Sequence, residues 1–470
     1  MRTARDPWTD LLRIAALGMV ILYHSTFIGP QVYPQFLARH LVFAHQIGAS
    51  VLLVISAHLA AGSLADPAHA TLRWWFSRLA RLLPGFVVGT LAATLAFDWL
   101  APAGMYRASV GDLLANLAML WNWNGYHHWD YVDGSYWTLP LQLAAFSLAP
   151  WLRRSRLGGG RGLRVLLWAA VLVPLAQWPL AQGAGGIYDS VVDGLGLYRW
   201  HLLVAGVATW MLGNGRLRPA QGAGLLAVCV AAHAVQNGWW SPTAGLVTDG
   251  WSVLGVGLGI VALLLAPRAR GIAPPRPVAG LSARFAGISY GVYLVHQTLG
   301  YVLMLRLQEW FGAGPTVQTL AMVAQAVLLG AAMTRYVERP AHRVLLRWFD
   351  GVERASEGEG PPHRTSDDQP WPGASGVSPG SGVSGPGWSG VSPGSGVSAV
   401  AVDAGTAAGT AAGAVVLARA SPVLPAASST AAAPATTRYL VRMGGVSSRW
   451  SEGRTHRASR VGDETRMCRS

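Results

Sequence analysis

Lysine is absent from the 470-residue sequence, and charged residues of every kind make up only 12% of it. Hydrophobic residues make up 51%, a composition that excludes ordinary soluble domains and indicates an all-α, polytopic membrane protein. The only two cysteines, Cys229 and Cys468, argue against a disulfide framework or a cysteine-based metal site. We therefore expect no bound metal.

The formal net charge of +14 would ordinarily suggest a nucleic-acid partner. However, all 36 basic residues are arginines, and most recur in short clusters between apolar segments, which is a signal of membrane topology. If the N-terminus is cytosolic, nearly all loop arginines are cytosolic, and the opposite loops hold only Arg39, Arg107, Arg199 and Arg306. The sequence thus predicts a lipid bilayer and no nucleic acid as partner, with both termini on the cytosolic side of the plasma membrane.

Ten apolar segments reach or approach the ~20 residues that a helix needs to cross a bilayer core. We predict about ten transmembrane helices, all within residues 1–350. They lie near 10–29, 41–64, 82–101, 136–152, 163–182, 200–213, 221–236, 251–267, 285–305 and 317–335.

Residues 351–470 have a different composition, rich in Gly, Ser, Pro, Ala and Thr. The unit SGVSPGSGVS occurs at Ser375–Ser384 and again at Ser389–Ser398. Such a segment buries too little apolar surface to offset chain entropy, so we predict a disordered C-terminal tail.

The first apolar segment, Thr9–Gly29, carries Asp10, Arg13 and His24. At about 100° per residue these side chains return to nearly the same helical face. Ionisable groups inside a membrane-spanning helix are expensive unless they face protein or a wet cavity, so this face is predicted to be functional.

A second polar face lies in the ninth predicted span, where Ser289, Tyr293 and His296 follow one another at i, i+4 and i+7. A neutral imidazole can accept a hydroxyl proton near neutral pH, and a Ser or Tyr partner can fix its tautomer. The alternative is a structural histidine that is packed between helices.

Arg78 and Arg81 enter the third predicted span at i and i+3, which places two guanidinium groups side by side. This geometry suits paired phosphate contacts. The alternative is an ordinary cytosolic arginine flank.

The loop 102–135 and the start of the next span are rich in aromatic residues interspersed with histidines and carboxylates. They either stack on and bind an acceptor or form an interfacial aromatic belt. The residues are Trp121, Trp123, Tyr126, Trp129, Tyr131, Tyr136 and Trp137, with His127, His128, Asp130 and Asp133.

Together these features resemble the integral-membrane acyltransferase 3 family, over about residues 8–348. Six ordered stretches carry the resemblance. They are Asp10-Leu-Leu-Arg13 with His24, Ile55-Ser56-Ala57-His58-Leu59, Arg78-x-x-Arg81-x-x-Pro84, Trp137-Thr-Leu-Pro-Leu-Gln142, Ile288-Ser-Tyr-x-x-Tyr293-Leu-x-His296 and Tyr336-Val-Glu338-Arg-Pro340.

The resemblance implies transfer of an acyl group, acetyl or another short one, from acyl-CoA to a hydroxyl of a carbohydrate, lipid or secondary metabolite. It implies that His24 is the general base, that Arg78 and Arg81 bind CoA phosphates, and that Arg13 lines the same channel. It also implies that Ser289, Tyr293 and His296 orient the acceptor or stabilise charge on the thioester oxygen. Asp10, Trp137, Gln142 and Glu338 are expected to orient these groups or the acceptor.

His24 lies ~21 Å along its helix from Asp10, so the acyl-pantetheine arm would have to thread a narrow channel between the first, third and ninth spans. Glu338 is expected to pair with Arg335, Arg339 or Arg13.

Two residues depart from the family pattern: Ala57 replaces a usual Gly, and Gln142 replaces a usual Glu. The second change removes a carboxylate, which Asp130 or Asp133 would have to replace. This change favours the alternative of a catalytically degenerate family member. A further alternative is a transporter or flippase of an acylated or glycosylated product, which would use the same intramembrane charges as a pathway.

Overall fold

The computed structural model describes residues 6–66, 70–121, 123, 129–155, 160–181, 186–241, 245–271 and 274–356. This part of the chain is helical, as predicted, apart from one antiparallel pair of short strands, β1 (Trp239–Ser241) and β2 (Gly245–Val247). The α-helices are α1 (Pro7–Tyr23), α2 (Gly29–Val32), α3 (Gly48–Ala65), α4 (Thr71–Leu95), α5 (Val110–Leu117), α6 (Thr138–Arg154), α7 (Gly160–Ala181), α8 (Gly186–Gly194), α9 (Trp200–Gly213), α10 (Pro219–Gln236), α11 (Gly250–Leu265), α12 (Arg276–Val295), α13 (Gln297–Phe311), α14 (Pro315–Met333) and α15 (Arg339–Ser356).

Short helical segments of other types join some of these helices. Among the described residues three are π-helical, a form in which one turn is widened and which is often found at functional sites. They are His24–Ile28, Ala96–Leu100 and Thr334–Glu338. Three 3₁₀ turns lie at Gly134–Trp137, Leu197–Arg199 and Arg268–Gly271.

Five helical stretches of the described residues are long and apolar enough to cross a membrane. They are Pro7–Val32, Gly48–Ala65, Thr71–Leu100, Arg276–Val295 and Pro315–Ser356. They overlap the first, second, third, ninth and tenth predicted spans. The other five predicted spans coincide with helices α6, α7, α9, α10 and α11, which do not meet that standard, so the prediction of ten crossings stays a prediction.

Two predicted boundaries are wrong. The ninth span, 285–305, is not one helix, because α12 ends at Val295 and α13 begins at Gln297, with His296 at the break. The tail was predicted to start at 351, but α15 continues through Ser356. Residues 357–470 lie outside the described part of the chain.

Contacts between helix termini fall into two groups, at opposite ends of the bundle. At the end that we call the arginine end, Arg73 pairs with Asp350, Arg153 donates to the Leu64 carbonyl, and Trp8 donates to the Ala269 carbonyl. At the end that we call the distal end, Arg39 donates to Gln318, His45 contacts Asp249, and Arg306 donates to the Leu100 carbonyl. Helices α3 and α4 therefore run in opposite directions, whereas α14 and α15 both run from the distal end toward the arginine end. The cytosolic side of the arginine end stays a prediction.

Close packing of α3 against α9 explains why the departure at Ala57 is tolerated. A Cβ at Gly206 of α9 would lie 2.3 Å from the Val54 carbonyl oxygen and 2.7 Å from Ala57 Cβ. The glycine therefore stands on the opposite helix, and the small-residue contact that membrane helices favour is kept.

Candidate active site

His24 is the first residue of the π-helical segment that follows α1. The Thr26 hydroxyl donates to the Leu22 carbonyl over 2.7 Å and accepts from the Phe43 amide over 2.9 Å. The second bond connects this segment to the loop that precedes α3. His24 Nδ1 lies 3.1 Å from the Tyr301 hydroxyl. The widened turn and the phenol together fix the orientation of the imidazole.

His296 occupies the break between α12 and α13 and is fully buried. Its Nδ1 lies 2.7 Å from the Tyr293 carbonyl oxygen, which can only accept, so Nδ1 carries the proton. Its Nε2 has no hydrogen-bond partner among the described residues. The rings of His24 and His296 meet edge to face with centroids 5.0 Å apart. The sequence placed these two histidines on different spans, and the fold brings them into contact.

Asp133 holds the helix break in place. One carboxylate oxygen accepts from the Thr298 amide in the first turn of α13 over 3.0 Å, and the other accepts from the Ser135 amide and hydroxyl. A carboxylate at a helix N-terminus is favourable, because it pairs with free amide groups and with the helix dipole. Asp133 is therefore a capping residue, and its replacement of the acid missing at Gln142 stays a prediction.

A cavity of about 40 Å³ lies against His24, and we call it the histidine cavity. Its wall contains Tyr23, His45, Gln46, Gly134, Trp137, Tyr293 and Gln297. Trp137, a predicted acceptor residue, is thus on this wall. The guanidinium of Arg199 lies 5.5 Å from the Trp137 ring and donates to Asn237 over 2.7 Å. The guanidinium, which Asn237 holds in place, therefore stabilises the position of the indole.

A second cavity, of about 190 Å³, lies toward the arginine end, and we call it the arginine cavity. Arg13, Arg78 and Arg81 all line it, together with Ser56, Gln142, Ser289 and Tyr290. The Arg78 guanidinium lies over the rings of Trp74 and Phe146 and donates to Ser63 over 2.5 Å, whereas Arg81 is exposed. The predicted clustering of these three arginines is therefore present in the fold.

Among the described residues, two cavities stand where we predicted one continuous channel. The two cavities are separate, and Ala49 and Tyr293 belong to the walls of both. The Tyr293 hydroxyl contacts the Thr138 hydroxyl over 2.9 Å and donates to the Ser135 carbonyl, which holds the ring between the cavities. Tyr293 therefore separates the arginines from His24 in this structure.

Three further predicted site residues surround the arginine cavity. The Ser289 hydroxyl donates to the Ala286 carbonyl of its own helix, so Ser289 faces the arginine cavity and is not grouped with His24 and His296. Gln142 Oε1 accepts from the Ser56 hydroxyl over 3.0 Å. Asp10 is buried, and its Oδ1 lies 3.8 Å from Arg13 Nη1, so that it orients Arg13 from outside the cavity.

Glu338 does not form the predicted ion pair. It is buried in the π-helical segment between α14 and α15, and no arginine nitrogen of the described residues lies within 4.0 Å of its carboxylate. A Cβ at Gly291 would lie 2.9 Å from Glu338 Oε1, so this glycine makes the room that the carboxyl group occupies. Arg335 instead lies over the ring of Tyr336.

Two aromatic residues of the predicted acceptor loop are core residues. Trp121 and Tyr136 are fully buried and pack against Phe86 in the core, so neither predicted role holds for them. Tyr126, His127 and His128 lie outside the described residues. What remains accessible to the histidine cavity is Trp137.

The chain between α5 and this core is held by Asp112, which closes a capping box with Ser109. Its Oδ1 accepts from the Asp130 amide over 2.9 Å and its Oδ2 from the Ser109 amide over 3.0 Å. Burial alone would raise the pKa of this carboxyl group, but the hydrogen bonds that it accepts from Ser109 and Asp130 outweigh burial and lower its pKa below the usual value.

Sequence reasoning missed four residues around the histidine cavity: Tyr301, His45, Gln46 and Gln297. His45 Nδ1 lies 3.0 Å from both carboxylate oxygens of Asp249. Tyr301 lies five residues beyond the last residue of the predicted motif, and Gln46 lies just before the start of α3. The one usable signal was that Gln297 directly follows the histidine of the motif.

The fold and the site together define a helical membrane protein with an internal polar site that contains two touching imidazoles and an adjoining arginine cluster. Residues 6–335 match the model of the acyltransferase 3 family, which is described as an acyltransferase domain, and the chain belongs to this family. It is therefore a membrane acyltransferase. Searches of curated proteins and of solved structures found no match.

Proposed function

We propose that the protein transfers an acyl group from acyl-CoA to a hydroxyl group of its acceptor, as an O-acyltransferase. The observation that carries this proposal is the pair of adjoining cavities, one lined by three arginines and the other by His24, with Tyr293 and Ala49 between them. A donor with an anionic head and a thin acyl arm fits such an arrangement, because its charge and its reacting carbonyl are far apart.

The arginine cavity is the donor site in this proposal. Arg78 and Arg81 bind CoA phosphates, since guanidinium groups form strong, charge-assisted hydrogen bonds with phosphate. Arg13, oriented by Asp10, lines the path of the pantetheine arm. The volume of about 190 Å³ exceeds the ~150 Å³ of an apolar cavity known to admit benzene, so an acyl group fits. The arginine end then faces the cytosol, where acyl-CoA is found, and the plasma membrane is the proposed location.

The reaction takes place at His24. With Nδ1–H donated to the Tyr301 hydroxyl, Nε2 is the basic nitrogen and removes the proton of the acceptor hydroxyl. The hydroxyl oxygen attacks the thioester carbonyl, the carbon–sulfur bond breaks, and the imidazolium returns its proton to the departing CoA thiolate. The products are an ester and free CoA. His296 contacts the His24 ring and confines its position, and Trp137 contacts the acceptor.

The experiment uses the full chain, purified in lipid nanodiscs, and acetyl-CoA labelled in the acetyl group. Free CoA and labelled acetate or ester are measured together, so that water also serves as an acceptor. A His24→Gln change is expected to slow CoA release about 10²-fold or more, the usual loss when a general base is removed. His58→Gln is the matched control, because His58 contacts Thr209 and lies outside both cavities.

CoA release that is equal in His24→Gln and wild type contradicts the proposal. Intact CoA combined with movement of a substrate across the nanodisc membrane, or across a vesicle, supports the transporter alternative. A degenerate protein is indicated if activity appears only in Gln142→Glu, which restores the carboxylate of the family pattern next to Ser56.

A further inference from the structure

Two glutamines on the wall of the histidine cavity have buried side chains that lack hydrogen bonds. Gln46 and Gln297 are only 9% and 8% exposed, and the Oε1 atom of each has no partner among the described residues. Gln318 is a buried glutamine whose amide is paired. It accepts from Arg39 over 2.9 Å and donates to the Gln308 Oε1 and the Ala313 carbonyl.

An unpaired buried amide is unfavourable, because the water that it loses on folding is not replaced by a partner. Such groups are few in folded proteins, and each one requires an explanation. Here both unpaired groups belong to the same small cavity, and that cavity also touches His24. Because the two oxygens have almost no accessible surface, each amide would rotate toward the cavity to pair with a ligand that enters it.

The wall of the cavity restricts the chemistry of this ligand. It contains no Asp, Glu or Arg side chain, and the imidazole of His45 is already paired with Asp249, so a carboxylate, phosphate or ammonium group would lose its water without gaining a free counter-charge. Amides offer one donor and one acceptor group, which suits a neutral hydroxyl that also donates and accepts. The imidazole of His45, held by Asp249, adds a third polar group to this wall.

The size of the cavity restricts the ligand further. A volume of about 40 Å³ exceeds the ~10–15 Å³ that one water needs, but it is far below the ~150 Å³ of a cavity that binds benzene. A ring does not fit, whereas a single carbon with its hydroxyl group does. Only a terminal group of a larger acceptor can therefore reach His24.

We propose that the histidine cavity is a subsite for a hydroxymethyl group of the acceptor, with Gln46 and Gln297 as specificity-determining residues. The term acceptor rests on the proposed transfer reaction. Primary alcohols are then the substrate class. The carbon that bears a secondary hydroxyl carries two further carbon substituents, and the cavity has room for only one carbon with its hydroxyl group. The rest of the acceptor stays outside the cavity.

The first test measures whether the two amides are unpaired in the free protein. The unfolding midpoint of the nanodisc-embedded full chain is compared for Gln46→Met, Gln297→Met and the control Gln318→Met. Methionine keeps the length of the side chain and removes its polar atoms. We expect no fall for the first two and a clear fall for Gln318→Met, which loses three hydrogen bonds. A fall in Gln46→Met and Gln297→Met as large as in the control, or their failure to fold, overturns the proposal.

The second test uses ethylene glycol, which carries hydroxymethyl groups, and 2-propanol, which has the same number of non-hydrogen atoms and only a secondary hydroxyl. The shift in unfolding midpoint with alcohol concentration is measured for wild type and for the Gln46→Met/Gln297→Met double variant. We expect ethylene glycol to stabilise wild type more than the double variant, and 2-propanol to affect both equally.

Equal effects of ethylene glycol on the two proteins, or the same difference with both alcohols, overturn the proposal. Neither test depends on acetyl-CoA turnover. A failure of the proposed transfer reaction would therefore be seen separately, in the labelled acetyl-CoA assay.

Discussion

Tyr301→Phe removes one hydroxyl group and leaves the rest of the site in place. The ring is 2% exposed and packs against Tyr33 and Phe36, with centroid distances of 5.7 and 6.0 Å, and these contacts do not involve the hydroxyl. The hydroxyl contacts His24 Nδ1 over 3.1 Å. The variant therefore tests whether this one contact supports catalysis.

The expected magnitude follows from the change in charge on His24 during the reaction. A hydrogen bond to a neutral group contributes about 1 kcal/mol, and one to a charged group about 1.5–3 kcal/mol. If His24 becomes an imidazolium in the transition state, the contact strengthens by about 1–2 kcal/mol at that point. Since ~1.4 kcal/mol corresponds to a tenfold change in rate, kcat should fall roughly 5- to 30-fold.

The assay is the release of free CoA from acetyl-CoA, measured as a function of acetyl-CoA concentration. KM for acetyl-CoA should not change, because Tyr301 is not part of the arginine cavity. Tyr33→Phe is the matched control, since it removes a neighbouring phenol hydroxyl that does not contact His24. Our reasoning is refuted if kcat stays within twofold of wild type, if KM rises instead, or if Tyr33→Phe gives the same loss.

Three other changes test the remaining parts of the site. Ala49→Leu adds volume at the wall shared by the two cavities and should lower kcat at least tenfold while acetyl-CoA still binds. The control Ala61→Leu, on the same helix, should leave kcat unchanged. Equal kcat values for the two variants would contradict a passage at Ala49. Arg81→Gln should raise KM for acetyl-CoA about tenfold, as expected for the loss of one charged phosphate contact. The control is Arg276→Gln, at another exposed arginine. An unchanged KM in Arg81→Gln would show that Arg81 is not part of the donor site. The pKa of Asp112 is lowered in the fold, so its stabilising effect is present above the usual carboxyl pKa and is lost as the pH falls through the folded value. Hydrogen exchange of the Asp130 amide, corrected for intrinsic rates, should therefore speed up on acidification, and a Ser109–Asp112 region that stays protected in acid would argue against this linkage.

The polar residues of the first span could be predicted from the sequence because their grouping depends on local geometry alone. The period of an α-helix places Asp10, Arg13 and His24 on one side, and the high energy of charge in lipid makes that side face protein. The same reasoning holds for Arg78 and Arg81, whose spacing brings both to one cavity. Membrane-length apolar runs gave the positions of the principal helices for the same reason.

The break at His296 could not be predicted from local sequence. No proline interrupts the run from 285 to 305, and the residue that stabilises the new helix start is Asp133, 165 positions away from Thr298. Periodicity therefore placed Ser289 and His296 on one face of one helix, whereas they lie in different environments. Tyr301 and Gln297 were missed because their roles depend on contacts with His24 and its cavity, which join distant parts of the chain.

The separation of the two cavities changes what catalysis requires. A continuous channel would let the acyl arm reach His24 without any movement, but Tyr293 stands between the cavities, with its hydroxyl bonded to Thr138 and to the Ser135 carbonyl. In the proposed reaction the arm passes Tyr293 when these hydrogen bonds break, and binding of the donor at the arginines, which lie outside the reacting centre, supplies the energy. Donors with an intact anionic head should therefore react much faster than thioesters that carry the same acyl group on a truncated, uncharged arm. If acetyl-pantetheine at saturation reacts as fast as acetyl-CoA, binding energy at Arg78 and Arg81 is not what opens the path past Tyr293.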